Sequence, residues 1–487
     1  MKIVYFNPTG VLGGAEMNLL DVLASVRTAR PGWRLSVVLG DEGPLREAVE
    51  GLDLPCRVLP LPRNVARLGD AGLADRSARR AGGLRLAARG PAAALTAAAY
   101  LARLRRVFRA EDPDLIQTNG MKAHVLGAWA APRGVPVVWH LQDYLGARPI
   151  MARLTRLSAR PRIAVVALSR SVAEDAARVL GPRVPVRTVY SAIDLGRFAP
   201  GPGQGGTLDE ASGLAPTPAG TVRVGLVATF ARWKGHEVFL DAISRIATDR
   251  LCRFYIVGGP IYRSLRSQYA LEELREKADA LGLGGRLGFT GHQAEPAAVL
   301  RALDVVVHAS TRPEPFGRVI VEGMACGRAV VAMRDGGAAE LFEDGVSALG
   351  CPPGDPGALA GALTRLIDDP GLRCRLGEAG RAAALARFDR GRLAKAWAAV
   401  YEPDRFQDET TGAGSEAVEA LPPGRDDARR DRPAGPAPGA ERLAHGNPPR
   451  LPSREILPPS PGGHRVARPH PGAGAGRHGD GSPGPLR

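Results

Sequence analysis

The chain has almost no lysine. Only five of its 65 basic residues are Lys, at positions 2, 122, 234, 277 and 395, so arginine carries nearly all of the formal net charge of +15. That bias, beside 61 Gly and 42 Pro, reads as coding composition rather than a polybasic nucleic-acid surface, and no nucleic-acid partner is expected. Cysteine is scarce as well. The five residues (56, 252, 326, 351 and 374) are scattered and form no Cys-x-x-Cys pair. This excludes a disulfide scaffold and a structural zinc site, and a reducing cytoplasm is the expected compartment. No run of about 18 apolar residues is present, which excludes a membrane-spanning helix. The opening MKIVYFNPTG lacks the cationic-then-apolar pattern of a secretory signal, so none is expected.

What remains is a chain of 487 residues with 44% hydrophobic content, long enough for two or three domains. Residues 403–487 hold 16 Pro, 14 Gly and one aromatic, Phe406. Apolar side chains there are too sparse to offset the entropy of ordering, and a disordered tail is expected. A second break, PGPGQGGTLDEASGLAPTPAG at 200–220, reads as a linker between two halves of similar size. Each half starts with a short apolar strand, Ile3 to Phe6 and Val222 to Ala228, followed by further strands spaced by helix-length segments. The expected fold class is α/β, with two doubly wound Rossmann-like domains facing a cleft at the carboxyl ends of their strands.

Three segments carry chemistry. Ser310 to Gly327, STRPEPFGRVIVEGMACG, follows the apolar strand Val305–Val307 and ends in a helix expected to begin near Arg318. Unpaired amides at Gly317, Arg318 and Val319 would favour a phosphate. Glu322 lies one turn further in, within reach of a ribose hydroxyl, and Glu314 precedes the helix, where it can accept hydrogen bonds from a sugar. Isolated glutamates are usually solvated or capping residues; the flanking Pro-Phe-Gly and the strand-loop-helix context favour a ligand site here. The second segment, Thr229 to Gly235, sets Arg232 and Lys234 at a strand-to-helix turn, suited either to a diphosphate leaving group or to plain solvation. The third, Thr9 to Ala15, is Gly-rich without being Gly-x-Gly-x-x-Gly; Gly13 and Gly14 permit close approach of a ligand, or simply a tight turn.

The run HASTRPEPFGRVIVEGMACGRAVVAMRDGGAAELFEDGVSALGCPPGD resembles the donor segment of retaining family 4 glycosyltransferases, including the Glu, seven residues, Glu pattern at Glu314 and Glu322. YIVGGP (with Gly258 and Gly259), GFTGH (ending in His292), VYSAIDLGRF and the terminal RFDRGRLAKAWAAVYE are similar to family segments as well. The resemblance implies a GT-B fold: an acceptor-side domain at 1–197, a donor domain at 198–386, a crossover helix at 387–402 returning to the first domain, and the tail. It implies transfer of a sugar from a nucleoside diphosphate sugar to a glycan or lipid-linked acceptor, without cofactor or metal. Lys234 would neutralise the diphosphate, Glu314 hold the sugar, Glu322 the ribose, and Gly13, Gly14, Gly258, Gly259, His292, Phe316, Gly317, Arg318 and Val319 line the donor.

Three positions depart from the family pattern. Thr229 stands where an Arg is usual, with Arg232 as the expected substitute. Asn119 replaces a His, leaving Lys122, His124 and His140 as acceptor-side candidates, and Ser191-Ala192 replaces Asn-Gly at the crossover. These departures make a non-catalytic nucleotide-binding GT-B protein the rival reading. His236 and His308 are read as structural. Asp112-Pro-Asp114 is spaced like a metal-binding Asp-x-Asp, but strand capping is expected. Between Arg63 and Arg109 there are 11 Arg against two acidic residues, and a helix over Leu95 to Phe108 would suit contact with an anionic membrane or a merely Arg-rich surface.

Overall fold

Strand sequences such as Ile3–Phe6 and Val305–His308 are buried at every position rather than at alternate ones, the signature of strands covered on both faces. The computed structural model describes residues 1–66, 78–260 and 267–402, with backbone alone at 78–93. The expected disordered tail and the Arg-rich residues 67–77 lie outside the described residues.

The first half forms a seven-stranded parallel sheet of β1 (Lys2–Asn7), β2 (Arg34–Leu39), β3 (Cys56–Val58), β4 (Leu115–Asn119), β5 (Val137–Leu141), β6 (Ile163–Ala167) and β7 (Val186–Thr188), in the order 3-2-1-4-5-6-7. Its helices are α1 (Gly14–Ala29), α2 (Pro44–Glu50), α3 (Arg63–Ala66), α4 (Ala78–Glu111), α5 (Met121–Ala130), α6 (Pro149–Ser158) and α7 (Arg170–Leu180). The second half forms a six-stranded parallel sheet of β8 (Val222–Val227), β9 (Cys252–Val257), β10 (Leu287–Gly291), β11 (Val305–His308), β12 (Ala329–Met333) and β13 (Leu349–Cys351), in the order 10-9-8-11-12-13. It carries α8 (Gly205–Ala211), α9 (His236–Ser244), α10 (Leu271–Ala280), α11 (Pro296–Ala302), α12 (Arg318–Ala325), α13 (Pro356–Asp368), α14 (Pro370–Arg387) and α15 (Arg390–Tyr401). The three-residue strands β3, β7 and β13 escape sequence reading because so short a run shows no periodicity.

Both sheets reverse direction of growth beside their first strand, between β1 and β4 and between β8 and β11. These switch points open crevices at the strands' carboxyl ends, where ligands of doubly wound sheets bind. The Gly-rich loop leaves β1, the Lys234 turn leaves β8, and the Glu314 loop leaves β11.

Two corrections concern the joint between halves. Residues 200–220 are not a bare linker: α8 lies within them, anchored by the buried Asp209, which accepts from Tyr255 Oη at 2.6 Å, Arg253 at 2.9 Å and the Thr217 amide at 3.1 Å. A buried carboxylate so supplied with donors, the Thr217 hydroxyl at 3.2 Å among them, docks the segment onto the donor sheet despite its Gly and Pro. The hinge proper is a pair of crossing strands of chain, where the Ile193 amide donates to the Phe388 carbonyl at 3.0 Å. Beyond it α15 returns to the first sheet. Trp397 and Tyr401 are buried there, Trp397 edge-on to His140 at 4.7 Å and Tyr401 hydroxyl to hydroxyl with Tyr5 at 3.2 Å.

Candidate active site

The site is built where β8 and β11 part. Gly235 follows Lys234 with φ +77°, and a Cβ there would lie 1.8 Å from the Ala309 carbonyl oxygen, so only glycine lets the β8 turn press against the β11 loop. That approach sets Lys234 Nζ 2.7 Å from Glu314 Oε2. The same oxygen accepts from Ser310 Oγ at 2.8 Å and lies 3.2 Å from His308 Nε2. Burial alone would raise the Glu314 carboxyl, but the Lys234 charge and the His308 contact outweigh it and hold the group well below the usual carboxylate range. Glu314 is therefore an ionised, buried carboxylate with its partners gathered on one oxygen.

Gly317 caps α12, and Arg318 is its first residue, as the sequence implied. Across the cleft, a Cβ on Gly14 would lie 4.0 Å from Arg318 Cδ, so the Gly-rich loop of the first domain faces the start of this helix. The Gly13 amide is tied to Glu16 at 3.1 Å. Arg318 Nε donates to Glu322 Oε1 at 3.2 Å and its Nη1 to Asp21 Oδ2, on α1, at 2.7 Å. Burial pushes the Glu322 carboxyl up, and Arg318 opposes the shift. Gly258, φ +136°, follows β9; a Cβ there would meet the Ala228 carbonyl at 2.0 Å, and its amide donates to the Gly291 carbonyl at 2.9 Å. Gly259 and the exposed His292 thus share one rim with the β8 turn.

Two donor-side expectations are corrected. Arg232 makes a two-armed ion pair with Glu273, at 2.8 and 2.9 Å, and lies over the Tyr269 ring, so its charge is spent outside the Lys234–Glu314 pair. Phe316 is buried edge-on to Phe388 at 5.9 Å; it is core at the hinge rather than donor lining. Val319 is half-buried on α12.

The comparisons with known proteins agree with this geometry. Residues 216–383 match the family model described as glycosyl transferases group 1, and residues 27–197 match glycosyltransferase family 4. The chain is 29% identical over 300 residues to the lipopolysaccharide core biosynthesis glycosyltransferase LpsE of Rhizobium meliloti (strain 1021), covering 61% of this chain and 77% of that one. It is 29% identical to the alpha-D-kanosaminyltransferase of Streptomyces kanamyceticus, covering 61% and 78%. The crystal structure of HepE of Anabaena in complex with UDP-glucose superimposes with a TM-score of 0.66 at 27% identity, covering 82% of this chain and 99% of that one. The chain belongs to glycosyltransferase family 4.

The enzyme's GT-B fold is that of its neighbours, and membership of this family sets aside the non-catalytic reading. The acceptor-side candidates of this glycosyltransferase do not line the cleft together. His124 is buried, bonded to Thr118 Oγ1 at 2.8 Å and stacked on Trp139 at 5.7 Å. His140 and Asn119 are buried and joined at 3.2 Å beneath Trp397. Desolvation pushes both histidines down to about 3, which keeps them neutral. Lys122 is half-buried and donates to the Ala66 carbonyl. What sequence reasoning missed is the support around the glutamates: His308, taken as structural, together with Ser310 and Asp21. Asp21 left one trace, a lone carboxylate inside the apolar run LLDVL.

Among the described residues no group of three His, Cys, Asp or Glu is arranged to hold a metal. Asp112 pairs with Lys2 Nζ at 2.9 Å and Asp114 accepts from the Lys2 amide at 2.7 Å, which ties the end of α4 to β1.

Proposed function

We propose that this glycosyltransferase moves a sugar from a UDP- or GDP-sugar to a glycan or lipid-linked acceptor with retention at the anomeric carbon, using no cofactor. The observation that carries this reading is the Lys234–Glu314 pair at the β8/β11 switch point, its carboxylate buried and followed by the α12 start that Gly14 approaches across the cleft. Lys234 and the first amides of α12 neutralise the diphosphate as the anomeric carbon–oxygen bond breaks and its electron pair leaves with the phosphate. Glu314, oriented through one oxygen, offers the other to sugar hydroxyls, and Glu322 accepts from the ribose. Gly13 and Gly14 let the opposite domain close over the donor and exclude water. The test is nucleotide release from UDP-, GDP- and ADP-sugars by wild type and Glu314→Gln. A wild type that binds nucleotide yet never transfers or hydrolyses sugar overturns it.

A lipid-linked acceptor places the enzyme peripherally on the inner face of a membrane, and one surface supports this. Leu154 and Leu157 on α6 are 39% and 66% exposed, Trp129 at the end of α5 is 43% exposed, and Arg160 lies 4.2 Å over its ring. Arg105, which donates to the Trp129 carbonyl, and the exposed Arg153 and Arg156 rim these apolar groups. Apolar tips within an arginine ring match an anionic lipid surface. No helix among the described residues is long and apolar enough to cross a bilayer. Flotation with phosphatidylglycerol vesicles at low salt checks the contact. Binding should fall with Leu154→Asp/Leu157→Asp, and an absence of co-flotation ends the proposal.

A further inference from the structure

We propose that Asp21 is a positioning residue for the donor: it acts through Arg318 to keep the Glu322 carboxylate available to the ribose. The inference rests on the ribose role of Glu322 proposed above and adds how the opposite domain governs it.

Asp21 lies on α1 and is 1% exposed, yet it is aimed across the hinge. Its Oδ2 accepts from Arg318 Nη1 at 2.7 Å. Its Oδ1 accepts from Arg390 Nε at 2.9 Å and Nη2 at 2.6 Å, and Arg390 passes on to Asp194 Oδ2 at 2.7 Å. One carboxylate of the first domain thereby grips both the donor helix α12 and the crossover into α15. Arg318 is shared. Its Nη1 serves Asp21 and, at 3.4 Å, the Ala192 carbonyl, while only Nε reaches Glu322, at 3.2 Å.

The guanidinium is a rigid planar fork, and with Nη1 anchored on Asp21 its plane is set so that Nε alone bonds Glu322 and the second carboxylate oxygen is left to other donors. Released from Asp21, the same fork can close with two arms on Glu322, its partner four residues on along α12. The driving force is burial: Arg318 and Glu322 side chains are 13% and 14% exposed, and a desolvated cation does not remain unpaired. Asp21 belongs to the first domain and Arg318 to the second, so the arrangement of Glu322 draws on a contact between the two domains.

The experiment is calorimetric titration of the full-length protein with UDP and with 2′,3′-dideoxy-UDP, which lacks the hydroxyls that Glu322 would accept. Wild type should prefer UDP by about tenfold or more, the worth of a hydrogen bond to a charged group. In Asp21→Asn the preference should shrink to roughly twofold or less, and in Asp21→Asn/Arg318→Lys it should return, because an ammonium keeps the counter-charge of Glu322 yet has no planar fork to close on it. Arg318→Lys alone should keep the preference and gives a reading even if Asp21→Asn folds poorly. A merely structural Asp21 would weaken both nucleotides alike. A preference that survives in Asp21→Asn overturns the positioning role, as does its loss in Arg318→Lys. A wild type that binds both nucleotides equally overturns the ribose role of Glu322 itself, and the positioning role falls with it.

Discussion

Lys234 and Glu314 neutralise one another across 2.7 Å, although one is the cation proposed for the diphosphate and the other the carboxylate proposed for the sugar. The donor must therefore insert its negative charge beside an ammonium that already has a partner. Lys234 is 22% exposed at the side chain against 9% for Glu314, so the lysine offers the open face. Lys234→Ala removes the charge that stabilises the leaving group and should lower kcat on the order of 100-fold. Steady-state nucleotide release under saturating donor checks this, and a loss below about threefold would dismiss Lys234 from the chemistry.

Arg232 stands two residues away and should behave differently. Its pair with Glu273 is at the surface, with side chains 43% and 41% exposed, and such pairs contribute about 1 kcal/mol at most. Arg232→Ala should leave kcat and KM within about twofold and the melting temperature nearly unchanged. A large fall in kcat would restore Arg232 to the donor site.

Strand and motif were readable in this sequence where one local pattern sufficed: the apolar run Val305–His308, the Pro and Gly that delay the helix until Arg318, and the Lys at the β8 turn. Partners distant along the chain were not. Arg232 reads as a donor cation until Glu273, 41 residues on, is seen to hold it. Asp21 meets Arg318 and Arg390 at separations of 297 and 369 residues, which no local spacing encodes. His140 shares a strand-end setting with true cleft residues, and the return of α15 lays Trp397 over it; His124, on α5, is instead turned against Thr118 and Trp139.

That return is also a stability element. Trp397 is fully buried between His140 and Tyr401, at 4.7 and 5.3 Å between ring centroids. Trp397→Ala leaves a cavity between α15 and the first sheet and should cost about 3–5 kcal/mol. Urea unfolding monitored by circular dichroism measures it. A cost under about 1 kcal/mol would mean that α15 contributes little to the first domain's core.

Buried neutral histidines should make the protein sensitive to mild acid. Desolvation lowers His124 and His140 to about 3 and His236 to about 4, whereas an unfolded chain protonates histidine near about 6.5. Below that pH the unfolded state binds protons that the folded state refuses, so stability is complete above about 6.5 and is lost as pH falls toward about 4. Each histidine removes about 1.4 kcal/mol per pH unit within this window. Glu314, held low by Lys234, has a dependence of the same sign in a lower window: its contribution is present above the unfolded carboxylate value and disappears only at more acid pH. The decline between about pH 6 and pH 5 therefore reports the histidines and not the site carboxylate. His236 packs against Phe230 and Tyr269 with neither ring nitrogen hydrogen-bonded, so His236→Phe should flatten the decline by about a third. Urea midpoints compared over that interval decide it, and a flat wild-type profile would mean these rings find protons in the folded state.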